Sequence, residues 1–161
     1  MAQYSIMDET VSENRLTRKL VDSLYVEAMV LADEARAYFE DHGVSERDQL
    51  SSALRVGYAV ESLKVTTRIM HVIAWLLTWR GEAAGEIDAE TARRPDRRLG
   101  EAGTTDAAVA EQFPEGAQQL VVASTDLYDR VRRLERELID PPKRRRPSPA
   151  RSLLGRLERA F

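Results

Sequence analysis

The stretch from Tyr58 to Trp79, YAVESLKVTTRIMHVIAWLLTW, carries apolar residues at helical spacing on two of its sides. One face contains Val56, Ala59, Leu63, Thr66, Met70, Ile73 and Leu77, and of these Leu63, Met70 and Leu77 are expected to be buried. The adjacent face contains Tyr58, Ser62, Val65, Ile69, Val72, Leu76 and Trp79. Because a helix with two apolar faces must be covered on more than one side, this stretch predicts the central helix of a helical bundle.

The ends of this central helix are predicted from local signals. Ser45-Glu-Arg-Asp48 resembles a capping box and predicts a start near Ser45, and the helix should run to Arg80 and end at Gly81. A preceding helix is predicted from Asn14 to Asp41, ended by His42-Gly43. Its apolar face is formed by Leu24, Ala28, Leu31, Ala35 and Tyr38, widened by Leu20, Val21, Tyr25, Ala32 and Phe39.

A third long helix is predicted after Pro114, which suits a first helical turn. Its apolar seam repeats every three or four residues, through Leu120, Ser124, Leu127, Val131, Leu134 and Leu138. Pro141-Pro142 ends it. Between the second and third helices, a short helix capped by Asp88 and stopped by Pro95 is expected.

These patterns predict an all-α fold, an elongated three-helix bundle over residues 14–140. The six prolines fall outside the apolar periodic stretches, and no strand-like alternation of useful length occurs. Residues 1–13 are expected to form a flexible N-terminus, and residues 141–161 a separate tail. Three slim helices cannot bury both faces of the central one, so a second copy should cover the remainder and the protein should be a homodimer.

A polar strip follows the same central helix, formed by Glu61, Lys64, Arg68 and His71 at helical spacing. Its simpler interpretation is a solvated face with weak ion pairs. Because Trp75 lies on the same side, the alternative is a protein-docking surface. Both interpretations remain open from sequence, and the five residues are candidate protein-binding residues.

Charge divides this 161-residue chain into two parts. Residues 141–161 contain seven Lys or Arg and one Glu, whereas the preceding residues contain 17 Lys or Arg and 26 Asp or Glu. The tail should be disordered, because its basic and proline-rich start, including Arg144, Arg145 and Arg146, cannot build a core. Its apolar residues Leu153, Leu154, Leu157 and Phe161 have helical spacing, so the tail is either a passive terminus or a segment that folds upon binding a partner. These seven residues are further candidate protein-binding residues.

Several classes of function lack their usual residues. The chain has no cysteine, no glycine-rich phosphate loop and no Glu-x-x-His pair, so no catalytic residue, cofactor or metal is predicted. The longest apolar run, residues 71–77, is far shorter than the roughly 20 residues of a membrane span. We therefore expect a non-enzymatic, cytoplasmic protein without a signal peptide.

The run beginning Tyr58-Ala-Val-Glu-Ser62 and ending Trp75-Leu-Leu77 resembles the signature of a bacterial family. That family is typified by the regulator of CtrA degradation (RcdA) and was long catalogued as a domain of unknown function. The resemblance extends from Leu20 to Asp140, and it includes Glu27–Glu34 and the stretch Ala92-Arg-Arg94. His71 departs from the family pattern.

The resemblance implies a dimeric three-helix bundle with a flexible C-terminal tail. It also implies an adaptor that links cargo proteins, including cell-cycle regulators, to the ATP-dependent ClpXP protease together with a response-regulator partner. The alternative is a nucleic-acid-associated helical protein that binds through the arginine-rich loop near Arg93 and the basic tail. The acidic body of the chain argues against this alternative, so nucleic acid is not expected as a partner.

Overall fold

The computed structural model describes the backbone of residues 2–140 and the side chains of residues 7–140. All regular structure in that range is helical, which confirms the all-α prediction. The helices are α1 (Ala2–Ala37), α2 (Gly43–Asp48), α3 (Ser52–Ala83), α4 (Ala89–Ala92), α5 (Ala107–Ala110) and α6 (Glu115–Ile139), with a π-helical turn at Tyr38–His42 and a 3₁₀ turn at Pro95–Arg97. The tail at 141–161, with all its predicted features, lies outside the described residues.

The core forms where α3 packs between α1 and α6. The second predicted face of α3 is confirmed, because Val65, Val72 and Leu76 have no exposed surface and Tyr58, Ile69 and Trp79 are also buried. From α1 the core receives Val21, Leu24, Ala28, Leu31 and Ala35, and from α6 it receives Leu120, Val121, Leu127, Tyr128, Val131 and Leu134. The predicted seams of the first and third helices are therefore confirmed, except that Leu20 is exposed.

The first predicted face of α3 is mostly exposed, and only its Ile73 packs partly against the core. Leu63 is 67% exposed, Met70 63% and Leu77 48%, and Val56 and Val60 are exposed as well. The burial of Leu63, Met70 and Leu77 was expected from apolar character alone, but α1 and α6 cover the other side of the helix. We call Val56, Val60, Leu63, Met70 and Leu77 the outer stripe.

Helix α1 begins at Ala2, well before the predicted start at Asn14. The segment expected to be a flexible N-terminus is therefore helical from its second residue. Its side chains from Met7 to Glu13 are all exposed, so they add little to the core.

The predicted break at His42-Gly43 is wrong, because the helical path continues there through the π-helical turn into α2. Gly43 is needed for packing: a Cβ at this position would lie 2.8 Å from Tyr58 Oη and 2.8 Å from Tyr38 Cε1. The hydroxyl of Tyr38 donates to Glu46 Oε2 at 2.6 Å, which ties the turn to α2.

The predicted capping box at Ser45 is also wrong, because Ser45 lies inside α2. The cap of α3 is Ser51, whose Oγ accepts from the backbone N–H of Leu54 at 3.3 Å. At its other end, α3 passes through Gly81 and ends at Ala83. The predicted cap at Asp88 is confirmed, since its carboxylate accepts from the N–H of Thr91 at 2.7 Å.

Candidate protein-binding surfaces

The polar strip of α3 lies beneath the loop at 99–106, which connects the 3₁₀ turn to α5. Glu61 is 2% exposed, Arg68 3% and Trp75 2%, while Lys64 and His71 are half-buried. The prediction of a solvated face is therefore wrong. The prediction of an open docking face is wrong for Glu61, Arg68 and Trp75, because a partner could not reach their side chains in this arrangement.

Arg68 holds the loop and joins it to α6. One terminal nitrogen, Nη2, donates to the carbonyl oxygen of Gly103 at 2.8 Å and to Thr105 Oγ1 at 2.7 Å. The other, Nη1, donates to Ser124 Oγ at 3.4 Å. Burial lowers the pKa of Arg68, and the charge of Glu61 acts in the opposite direction. An arginine keeps its charge in proteins, so this cation is buried with hydrogen-bonded partners.

Glu61 and Lys64 hold the following part of the loop. Lys64 Nζ donates to Glu61 Oε1 and to the carbonyl oxygen of Thr104, both at 2.7 Å. Glu61 Oε1 also accepts from the backbone N–H of Asp106 at 3.1 Å. Burial alone would raise the pKa of Glu61, but these hydrogen bonds outweigh it and the pKa is lowered. We call Glu61, Lys64 and Arg68 the loop clamp.

The start of the loop rests on His71. A Cβ added to Gly100 would lie 1.7 Å from His71 Nδ1, so only glycine lets the backbone pass so closely over the imidazole. The hydroxyl of Tyr128 donates to the Gly100 carbonyl oxygen at 2.7 Å, and the N–H of Leu99 donates to Glu135 Oε2 at 2.7 Å. Glu61, Lys64 and Arg68 thus hold this loop by hydrogen bonds, and His71 lies directly beneath its Gly100.

The outer stripe contains the large apolar side chains of α3 that are exposed to solvent. Val56, Leu63, Met70 and Leu77 recur every seven residues, which is the seam spacing of a coiled coil. The sequence analysis found these residues but assigned them to the core, so their exposure is the feature that it missed. Exposed apolar surface of this kind marks interaction sites in folded proteins.

The arginine-rich stretch at 93–98 is only partly available to a partner. Arg93 donates to Glu82 Oε1 at 3.0 Å and lies over the ring of Trp79, and Arg94 pairs with Asp96 at 3.2 Å. The seven tail candidates, Arg144, Arg145, Arg146, Leu153, Leu154, Leu157 and Phe161, lie outside the described residues. Binding by them therefore stays a prediction.

Between Met7 and Asp140, no group of three or more His, Asp or Glu side chains is placed to hold a metal ion. None of the helices between Ala2 and Asp140 is long and apolar enough to cross a membrane.

Comparison with known proteins identifies a family and a similar solved structure. A family model described as "Protein of unknown function (DUF1465)" matches residues 12–161. The crystal structure of RcdA from Caulobacter crescentus CB15 is similar to this chain, with 34% sequence identity and a TM-score of 0.63. The similarity covers 77% of this chain and 96% of that one. No curated protein matches.

Proposed function

The chain belongs to the DUF1465 family, and we propose that it is a non-enzymatic adaptor in regulated proteolysis. The single observation that carries the proposal is the likeness to RcdA over most of both chains, at 34% identity. An adaptor needs surfaces that bind proteins and needs no catalytic residues, and the outer stripe offers such a surface.

The more specific proposal concerns the partners. We infer delivery of cargo, including cell-cycle regulators, to the ClpXP protease in the cytoplasm, together with a response-regulator partner. This inference rests on the family. The fold is compatible with it, because α3 divides the molecule into a packed side and an exposed apolar side, so one surface can bind while the core stays intact.

We also propose that the protein acts as a homodimer through the outer stripe. A seven-residue repeat of exposed Val, Leu and Met side chains favours packing against a copy of itself, because a two-fold axis then brings equivalent knobs and holes together. A dimer would present two sets of binding surfaces and would raise the effective concentration of bound cargo at the protease.

The test is reconstituted degradation. Purified ClpXP, a response regulator and a candidate cell-cycle cargo from the source organism are mixed with and without the chain, and cargo lifetime is followed on gels. We expect the chain to shorten that lifetime and to remain undegraded itself. A tagged chain should also co-purify ClpX or the response regulator from native lysate. An unchanged cargo lifetime, with neither protein captured, would contradict the adaptor function.

A further inference from the structure

A cavity of about 520 Å³ lies where α1, the end of α3 and the end of α6 meet. It is far from the loop clamp and is separate from the outer stripe, and nothing above assigns it a role. Its volume falls within the range of small-ligand sites, about 300–1,000 Å³. Three arginines line it, Arg18, Arg80 and Arg93, and they come from three different parts of the chain.

The charge of this cavity is opposite in sign to that of the body around it. Residues 1–140 have nine more acidic than basic residues. At the cavity, the three arginines face two carboxylates, Asp22 and Glu82, so the local balance is positive. The cavity therefore offers a positive site on an acidic body.

The cavity arginines are held in place by contacts within the chain, and two of them keep N–H donors that no contact among the described residues uses. Arg18 Nη2 donates to the carbonyl oxygen of Ala83 at 3.1 Å, which satisfies one of the free carbonyls at the end of α3. Arg80 pairs with Asp22 through Nε at 3.2 Å, and its guanidinium lies 4.2 Å from the ring centroid of Tyr25. Since each guanidinium has five N–H donors, Arg18 and Arg80 retain terminal N–H groups for a ligand.

The remaining lining is apolar. Val21 and Trp79 belong to the buried core, and Leu138 packs against it. Arg93 lies over the Trp79 ring at 4.9 Å, which fixes the position of this third guanidinium. A ligand that fits must therefore combine an anionic group for the arginines with an apolar group for this lining.

We propose that this cavity binds an acidic segment of a partner protein, in which a carboxylate is followed closely by an aliphatic side chain. A planar guanidinium binds a carboxylate with two parallel hydrogen bonds, and the apolar lining accepts the neighbouring aliphatic group. The basic tail of the chain does not fit as an occupant, because its seven cations would face three more. The adaptor function is used here only in taking the ligand to be a protein segment.

Direct titration of the full-length protein tests this assignment. The probe is a short synthetic peptide that alternates Glu and Leu, and the readout is the fluorescence of the chain's tryptophans, one of which lines the cavity. Matched probes are a peptide that alternates Lys and Leu, sodium acetate, and a single-stranded DNA oligonucleotide. We expect saturable binding of the Glu-Leu peptide, weakening as salt is added, and no saturable response to the other three.

Substitutions identify the site. Arg18→Ala and Arg80→Ala should each weaken peptide binding at least about tenfold, because each removes a charge-assisted hydrogen bond. Arg80 also packs on Tyr25, so its variant is checked for folding by circular dichroism, whereas Arg18 is exposed and provides the independent second variant. Arg55→Ala is the matched control, since Arg55 is exposed at the opposite end of α3. It should bind the peptide like the parent protein.

The assignment is overturned if the Glu-Leu peptide fails to bind, if the Lys-Leu peptide binds as well, or if acetate or DNA gives the same saturable response. It is also overturned if folded Arg18→Ala binds the peptide like the Arg55→Ala control. These results are separable from a failure of the adaptor function. Parent protein that shortens cargo lifetime but ignores the peptide removes the cavity assignment alone, and peptide binding without any effect on cargo lifetime removes the adaptor function alone.

Discussion

Two leucines on α3 show how position decides the role of a side chain. Leu76 has no exposed surface, because α1 and α6 cover its side of the helix, whereas Leu63 is 67% exposed. Both lie at helical spacing among other apolar residues, so local sequence gives them equal weight. Their contributions to stability should therefore differ strongly, although the residue type is the same.

We predict that Leu76→Ala lowers the free energy of unfolding by about 2–5 kcal/mol, because it leaves a cavity in a packed core. Leu63→Ala, the matched control, should change it by no more than about 0.5 kcal/mol, as for other exposed positions. Urea denaturation of both variants, at concentrations low enough to keep the chain monomeric, measures the two values. Equal losses would show that the outer stripe is covered within a single chain.

The loop at 99–106 depends on α3 for its shape. Within the described residues it has no regular structure, and the loop clamp supplies partners for the backbone of Gly103, Thr104 and Asp106. These hydrogen bonds come from two buried charges of opposite sign, Glu61 and Arg68, and from the half-buried Lys64. Removing one of these charges leaves the others unpaired, and this should lower the free energy of unfolding more than a substitution at an exposed position does.

Acid should loosen this loop through Glu61. The pKa of Glu61 is lower in the folded protein than in the unfolded chain, so its ionised form stabilises the fold at neutral pH. That stability is present above the unfolded pKa, near 4.5, and is lost as the pH falls through the lower folded pKa. The Glu61→Gln variant has no carboxyl group at this position, so it lacks this pH-dependent contribution to stability.

The measurement is urea denaturation of the parent and Glu61→Gln between pH 6 and pH 3. We expect the parent's advantage in unfolding free energy to shrink steadily as the pH falls. Glu13→Gln, at an exposed carboxylate of α1, is the control for the loss of one negative charge. If the difference in unfolding free energy between the parent and Glu61→Gln stays constant over this range, the pKa of Glu61 is not lowered in the folded protein.

In the whole molecule, the core and the outer stripe lie on different sides of one helix. The packed side gives the bundle its stability, and the exposed side leaves apolar surface facing water. Assembly would remove that surface from water, which is favourable by roughly 25 cal/mol for each Å² buried. The bundle and its assembly can therefore be tested by separate substitutions.

We predict a homodimer at micromolar concentration that separates when charge enters the outer stripe. Leu63→Glu and Met70→Glu together should give a folded monomer of 18.2 kDa by light scattering. Val122→Glu is the matched control, because Val122 is 67% exposed on α6, outside the stripe, and its variant should stay dimeric. A parent protein that is monomeric throughout this range would refute the assembly.

A second whole-molecule prediction concerns the tail. Because α6 ends at Ile139 and the core is built from earlier residues, deletion of residues 141–161 should leave the melting temperature nearly unchanged. If the tail is a docking arm, the same deletion should weaken capture of a partner protein. A large drop in melting temperature would show that the tail belongs to the folded unit.

Two sets of tail substitutions separate the adaptor from the nucleic-acid alternative. For a protein partner, changing Leu153, Leu154, Leu157 and Phe161 to Ser should weaken binding most, while changing residues 144–146 to Glu should mainly slow association at low salt. For nucleic acid, the arginines should dominate. Binding is measured against a co-purified partner and against random DNA at two salt concentrations. If neither set alters any binding event, the tail is a passive terminus.

The sequence by itself determined the all-α class, the core faces of α1 and α6, two apolar faces on α3, and the family. These features follow from the spacing of apolar residues. The seam of α6 and the buried face of α3 repeat every three or four residues, and such repeats can be recognised in the sequence before the packing partners are known. The cap at Asp88 was equally readable, because a cap is formed by residues close together in the chain.

Only the tertiary structure decided which of the two apolar faces of α3 is covered and what its polar strip does. Leu63 and Leu76 satisfy the same periodic rule, and the position of α1 and α6 alone separates them. Arg68 meets Gly103 and Thr105 across 35 and 37 residues of sequence, so no local pattern could indicate that contact. Gly43 likewise ended no helix, because its close packing against two tyrosines outweighed its local tendency to break one.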